Sequence, residues 1–317
     1  MYNGSWEKLT IEETGMKIFV TGGTGFVGRY VTRRLTESGH EVFILTRSPS
    51  RAKELVPWAA IVEGDPKIPG GWQQRASVSD AAINLAGSSI STPWTDAVRK
   101  SIMDSRILTT RNLVEALCSS GNEKVLINAS GVGYYGSRLD DEILDEDSAP
   151  GAEFMSRVTI EWEDEAKKAA QCGTRVALCR FGIVLGRGGG ALSLMLPAFR
   201  YLLGSSMGSG GQWMSWIHQE DLLNIFSFLL SDRKMSGPVN CVSPNPTRNA
   251  EFAKTLARTL GRPLVLPAVP AFLLRTLLGE FANVVLKGQR VIPKRLMEKG
   301  FSFRFPTLQQ ALENLIE

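Results

Sequence analysis

The stretch KIFVTGGTGFVGRYV, residues 17–31, decides the fold. Lys17 to Thr21 is a short apolar run that stops at glycines, which reads as a buried strand. Phe26 to Ser38 carries apolar residues at helical spacing and ends at Gly39, a helix with a glycine stop. The glycines between and just beyond satisfy GxGxxG as Gly23, Gly25 and Gly28, and GxxGxxG as Gly22, Gly25 and Gly28. One glycine makes a tight turn, one lets the backbone approach a pyrophosphate, and one lets helix and strand pack closely. The start of the helix then offers unpaired amides to the phosphate charge. A strand before and a helix after raise this above a bare glycine pattern, whose alternative is a structural turn. The expected dinucleotide contacts here are Gly22, Thr24, Gly25, Phe26, Val27 and Gly28.

Working outward, short apolar runs recur at 41–46, 59–62, 81–86, 124–129 and 175–180, with a late one at 239–242. Helical stretches at 94–119 and 153–171 separate some of them. Strands alternating with helices predict an α/β fold, a Rossmann-type doubly wound parallel sheet. After Gly182 the rhythm changes: a GRGGG turn at 186–190, then helices near 220–230, 249–260, 271–278 and 308–316. These predict a smaller C-terminal α/β substrate lobe with a soft boundary. The expected division is an N-terminal extension or leader at 1–15, a nucleotide-binding domain at 16–185 with parts of 213–245, and mainly a substrate lobe at 186–317.

The end of the second strand selects the dinucleotide. An acidic residue there would bond the ribose hydroxyls of NAD. This chain has Arg47 and Ser48, with Arg51 and Lys53 behind, and no carboxylate between Glu41 and Glu54. A guanidinium clamps a 2′-phosphate that a carboxylate would repel, so NADP is expected over NAD. The alternative is that Arg47 is a solvated surface residue. Leu85, Ala86 and Gly87 close the fourth strand with small residues over which a cofactor can lie.

The bulk numbers exclude several classes. A net charge of +4 without a dense basic block argues against a nucleic-acid partner. No apolar run reaches the roughly 18 residues of a membrane span. Two histidines and no CxxC spacing leave no metal motif. The four cysteines read as reduced structural thiols of a cytoplasmic protein.

These residues resemble the extended short-chain dehydrogenase/reductase superfamily, the NAD-dependent epimerase/dehydratase group. TGGTGFVG looks like its glycine motif and NLAG (84–87) like its NNAG-type turn. NASGVGYYG (128–136) looks like the strand-five motif that supplies an active-site Ser, here Ser130. RFGIVLG (180–186) looks like the segment over the nicotinamide, which implies contacts from Phe181, Gly182 and Ile183. WIHQEDL (216–222) looks like the segment near the substrate lobe. ASGVGYYG, FGIVLGRGGGAL, GSGGQWMSWIH and KGQRVIPKRLMEKGFSFRFP together resemble the sugar-nucleotide epimerase-like, or cell-division-inhibitor-like, branch. Its C-terminal segment, here 268–317, has no assigned function. The resemblance implies a small-molecule substrate, with nucleotide sugars among the candidates, and adds a homodimer to the assemblies to expect.

The superfamily's Tyr-x-x-x-Lys is missing. Alignment on Glu163 puts Met155 at the Tyr place and Thr159 at the Lys place, and neither is a usable base. Tyr134 and Tyr135 can project a phenol toward the cofactor instead, and Arg106 can stabilise a phenolate or substrate oxyanion. The alternatives are aromatic packing for the tyrosines and a structural ion pair for Arg106. His218 reads as a helix-start hydrogen-bonding residue rather than an acid/base. The acidic run 140–147 reads as a solvated loop or a lid. The basic residues Lys287, Arg290, Lys294 and Arg295 read as a solvated face or a seat for an anionic tail. Trp213 and Trp216 divide between ligand stacking and core packing. Two functions follow: an NADP(H)-dependent oxidoreductase or epimerase, or an NADP(H)-binding regulatory or sensor protein that has lost catalysis.

Overall fold

The computed structural model describes residues 15–119, 123–138 and 140–316; residues 1–14 of the expected leader lie outside them. In chain order the first half runs β1 (Lys17–Thr21), α1 (Phe26–Glu37), β2 (Glu41–Thr46), α2 (Pro49–Leu55), β3 (Ala60–Glu63), α3 (Trp72–Ser77), β4 (Ala81–Asn84), α4 (Asp96–Cys118), β5 (Val125–Gly131), a 3-10 turn at Val132–Tyr135, β6 (Ile143–Leu144) and α5 (Phe154–Lys167). The second half runs β7 (Arg175–Phe181), β8 (Ile183–Leu185), α6 (Gly190–Arg200), β9 (Trp213–Met214), β10 (Trp216–His218), α7 (Gln219–Ser231), β11 (Gly237–Cys241), β12 (Thr247–Arg248), α8 (Asn249–Thr259), α9 (Ala271–Leu278), α10 (Ala282–Leu286), β13 (Arg290–Val291), α11 (Lys294–Glu298) and α12 (Leu308–Ile316).

Seven strands form one sheet in the order β3-β2-β1-β4-β5-β7-β11, with every neighbouring pair parallel. Order reverses between β1 and β4, which makes the crevice above their carboxyl ends the natural ligand position. The central strands are apolar on both faces because both are covered. Ile18, Val20, Val31, Leu35, Ile83 and Phe226 pack one face under α1 and α7. Phe19, Phe43, Trp72, Leu113, Leu117 and Leu126 pack the other under α3 and α4. A separate core joins α6, α8 and α12 through Leu192, Phe199, Phe252, Leu256, Leu312 and Leu315.

The expected sheet strands all form, with ends shifted by one or two residues. The short helices α2 and α3 were not expected. α2 begins with Pro49 at its first turn, a position that proline pre-organises. The chain leaves the sheet after β7 and returns at β11, so the lobe is an excursion followed by a C-terminal tail. That tail reaches back to the core: Leu296 of α11 is buried with the α7 face of the sheet.

The cysteine reading is corrected. Cys118, at the end of α4, and Cys172, after α5, form a disulfide with Cα atoms 5.4 Å apart, while Cys179 and Cys241 are buried free thiols. The helices carrying the two cysteines pack side by side, so their ends meet although 54 residues separate them. Thiol titration of the unfolded, unreduced protein is expected to count two thiols, and four after reduction. Reduction is expected to lower stability by up to about 4 kcal/mol, the loop-closure value for that separation; four thiols before reduction would remove the bridge.

Candidate functional site

The first glycine turn is shaped by close approach. Gly22 has φ +71°, and a Cβ there would stand 2.6–2.8 Å from the Leu85–Ala86 backbone. A Cβ on Gly28 would meet the Gly22 carbonyl oxygen at 2.3 Å. Gly25 N–H donates to that oxygen at 3.0 Å, closing the turn. Gly25 then caps α1 without a side chain, and the first turn of the helix has no acid. The amides of Phe26, Val27 and Gly28 precede the first helical bond, from Arg29 N–H to the Gly25 carbonyl at 2.9 Å. Open space lies over Gly25, whose Cβ would touch nothing but the Gly22 oxygen. The result is a side-chain-free cradle of amides at a helix N-terminus, the arrangement that suits a pyrophosphate. Thr24 is half-buried beside it.

Phe26 does more than lend its amide. Its ring lies under the GRGGG turn: a Cβ on Gly186, Gly189 or Gly190 would come within 2.4–2.8 Å of it. The second glycine turn therefore rests on the first helix, a contact the sequence reading missed although the glycine cluster was its signal.

Beyond β2, Arg47 and Ser48 are exposed. Thr46 is in register with Glu63 at the end of β3. A count along the chain could not see that carboxylate, which stands one strand away from the basic residues Arg47, Arg51 and Lys53.

On the other side of the reversal point, Leu85 and Ala86 hang from Thr21, by N–H bonds to its carbonyl at 3.1 Å and its hydroxyl at 3.4 Å. Beneath them Asn84 joins Thr21 (2.5 Å), Thr110 (2.8 Å) and Asn128 (2.7 Å). Gly87 is held against Arg106, whose Cζ would lie 2.9 Å from a Cβ there. Arg106 Nη1 donates to the Ser88 and Ile102 carbonyls at 3.2 and 3.1 Å, and its Cζ sits 5.2 Å from the Trp162 ring centre. Burial pulls its pKa down to about 10. No carboxylate pairs with it among the described residues, so the ion-pair alternative is set aside. A cation this desolvated calls for an anion.

Ser130 ends β5 and donates to Glu163 at 2.7 Å. Glu163, on α5, forms a two-pronged ion pair with Arg180 of β7 at 2.8 and 2.9 Å, both residues being buried. Burial pulls the Arg180 pKa down, but Glu163 holds it above the ordinary value. Tyr134 lays its ring 3.4 Å from Arg180 Cζ and meets Tyr135 edge to face at 5.3 Å. Neither Glu163 nor Arg180 was picked as a site residue; an acid in α5 and a basic residue closing an apolar strand were the available signals.

Tyr135 is packed inside. It has no exposed surface. Its hydroxyl donates to Asn240 at 2.7 Å and accepts from Arg180 at 3.0 Å. Burial pushes its pKa up to about 12 against the pull of Arg180. Tyr134 is half-buried, and its hydroxyl has no partner among the described residues. At the empty Lys place the Thr159 hydroxyl turns back to its own helix, bonding the Met155 and Ser156 carbonyls at 3.0 and 2.8 Å.

Phe181 packs on Phe226 at 6.0 Å. Gly182 is small for a local reason, since a Cβ would lie 2.4 Å from the Ser215 oxygen. Ile183 N–H donates to that oxygen at 2.8 Å. Trp216 is core, and Trp213 is sandwiched by Arg248 and Arg290 at 4.2 and 4.6 Å with its N–H on Asp141 at 2.9 Å.

The acidic run, expected as a solvated loop or a lid, and the basic run, expected as a solvated face or a seat for an anionic tail, form one joint. β6 pairs with β13. Lys294 bridges Asp145 and Asp147 at 3.1 and 2.8 Å, and Lys287 reaches Glu153 at 3.6 Å. Glu146 is buried and accepts from the backbones of Asn240 at 2.9 Å and Arg295 at 3.4 Å. Burial raises its pKa.

His218 caps α7, its Nδ1 accepting from Glu220 N–H at 3.1 Å, in line with the helix-start reading. Burial lowers its pKa to about 4. The unfolded chain therefore binds the extra proton between about 6.5 and 4, so this stabilisation is whole above the upper value and fades as pH falls toward the lower, by up to roughly 3 kcal/mol. His218→Asn keeps a cap without titrating; its unfolding free energy is expected to lose less than the wild type's between neutral pH and about pH 4.5. Glu163→Ala, which strands a buried cation, is expected to cost about 3–5 kcal/mol in denaturant unfolding; a loss under 1 kcal/mol, about the worth of an exposed pair, would place the pair in solvent.

Comparison with known proteins agrees with this architecture. Residues 18–241 match the NAD dependent epimerase/dehydratase family, and residues 269–315 match a domain of unknown function, DUF1731. The chain is 41% identical over 312 residues to the chloroplastic epimerase family protein SDR39U1 homolog of Arabidopsis thaliana, covering 96% of this chain and 88% of the relative. It is 38% identical over 307 residues to the epimerase family protein YfhF of Bacillus subtilis, covering 95% and 98%. The crystal structure of human epimerase family protein SDR39U1 (isoform 2) with NADPH superposes at TM-score 0.83 with 35% identity, covering 95% of this chain and 99% of that one.

Proposed function

This chain belongs to the NAD dependent epimerase/dehydratase family, and from that premise we propose that it binds NADP(H) and acts as an oxidoreductase or epimerase on a small molecule that carries an anionic group. The observation that carries the cofactor part is the cradle at Gly22, Gly25 and Gly28, which side chains would fill and which turns free amides outward. Its fit to a pyrophosphate is steric and electrostatic together. Arg47 and Ser48 hold the 2′-phosphate, with Arg51 and Lys53 outweighing the single charge of Glu63. Leu85, Ala86 and Gly87 floor the crevice, and Ser130, Phe181, Gly182 and Ile183 line its far end. The NADPH in the human relative's structure supports the same choice.

When bound, the nicotinamide gives or takes a hydride. The protein's share is placement and charge. Arg106 neutralises the substrate's anionic group or a developing oxyanion, because it is desolvated and lacks a carboxylate of its own. Tyr134 handles the proton. Its phenol is the one of the pair that reaches the surface, and its ring is held in place by the guanidinium of Arg180. The Ser130 hydroxyl donates to Glu163, so its oxygen is left to accept from a neighbouring hydroxyl of the substrate and orient it. Nucleotide sugars, with a diphosphate for Arg106, are the substrate class to try first.

A second reading is a cofactor-binding sensor without turnover, favoured by Met155 and Thr159 at the places of the usual Tyr and Lys. Both readings share the cradle, so the first measurement is NADPH and NADH titration by calorimetry. Arg47→Asp is expected to weaken NADPH at least about tenfold with NADH little changed. Equal loss of both, or no binding by the wild type, would overturn the cofactor assignment. A carbonyl and nucleotide-sugar screen then separates the readings: turnover that Tyr134→Phe removes and Tyr135→Phe spares marks the enzyme, and tight binding without turnover marks the sensor.

A further inference from the structure

The C-terminal lobe presents a surface that its own core does not use. α9 reads AFLLRTLL and has no buried residue. Phe272 is 71% exposed and Leu277 65%. The segment before α9 is tied to the segment after α6, with Val269 N–H on the Ser206 carbonyl at 2.8 Å and Gly208 N–H on the Val269 carbonyl at 2.9 Å. The Ser205 hydroxyl also donates to the Pro267 carbonyl, so the stretch that follows Tyr201 and Leu203 runs along the stretch that follows Val265 and leads into α9. Tyr201 is 78% exposed, and Leu194, two helical turns earlier on the same face, is 74% exposed. An apolar surface built from two helix ends and a proline-rich link is larger than isolated surface leucines and marks a contact face.

Its end residue is strained. Leu202 has φ +62°, the one positive value outside glycine among the described residues. Leu202 N–H bonds the Phe199 carbonyl at 3.2 Å and Leu203 N–H the Ala198 carbonyl at 2.8 Å. That is the helix-end pattern glycine normally serves. A bulky side chain kept at such a position points to a function other than stability.

The charges choose the occupant. Residues 186–219 and 252–279 contain no Asp or Glu. Arg200, Arg258, Arg262 and Arg275 all lie there and are exposed. Of the acids that border these windows, Glu280 is engaged by Arg99 and Glu220 by Arg304, which leaves the single charge of Glu251 against the four arginines. A second copy seated face to face would set arginines against arginines. A bilayer with anionic headgroups receives the apolar side chains in its acyl boundary and the guanidinium groups at its surface.

We propose that this face docks on an anionic lipid bilayer, as a peripheral contact that needs no membrane-crossing helix. The full chain is mixed with sedimentable vesicles of phosphatidylglycerol and phosphatidylcholine, or of phosphatidylcholine alone, at low salt. Sedimentation with the mixed vesicles is expected, weaker by at least about tenfold with the neutral ones and with added salt. Phe272→Ser with Leu277→Ser is expected to lower binding at least about tenfold, since each loses a buried apolar side chain. Leu202→Gly is expected to raise Tm and lower binding, which separates docking from folding. NADPH affinity in solution serves as the control and stays unchanged, because none of these residues lies in the cradle. No sedimentation with mixed vesicles, equal sedimentation of wild type and all variants, or a dimer that the same substitutions dissociate without any vesicle binding would each overturn the proposal.

Discussion

Taking Glu163 and Arg180 out of water costs several kcal/mol for each ion, and that cost is offset only by close geometry and by partners for the remaining donors and acceptors. The structure supplies both. Two parallel hydrogen bonds join the pair, Ser130 adds a third to the carboxylate, and the Tyr135 hydroxyl takes another guanidinium N–H. From Tyr135 the chain of bonds passes to Asn240, and from Asn240 to the Ile292 carbonyl and the Glu146 carboxylate. One ion pair thus registers α5 against β5 and β7, orients the aromatic pair, and reaches the C-terminal segment through β11.

That continuity explains why the C-terminal segment is not a loose appendage. Its strand β13 pairs with β6, its lysines meet the acids of 145–147, and α11 buries Leu296 against the sheet. Most of those ion pairs are exposed and individually weak. The buried carboxylate of Glu146, satisfied by two backbone amides, is the specific element. Joined in this way, the segment braces the wall that carries Tyr134 and Ser130.

Much of this is legible in the sequence. The glycine turn and the strand rhythm both survive, because periodicity and backbone freedom are local properties. The cap role of His218 was legible for the same reason. The polar interior was not. Tyr134 and Tyr135 are adjacent and chemically identical, yet one faces the surface and the other is sealed. The acidic and basic runs read as solvated because each lacks a partner within its own neighbourhood; they meet across roughly 150 residues. Glu63 escaped notice because it is next to Thr46 through strand register alone. The disulfide likewise joins cysteines whose spacing carries no motif.

What the sequence determined alone was the side-chain-free glycine turn and the sheet, since both follow from side-chain volume and apolar period within short windows. Which tyrosine reaches the surface, which arginine is left without a carboxylate, and which charges cancel were decided by the tertiary structure. Those properties depend on burial and on partners far along the chain, and only packing brings such partners within a few ångströms.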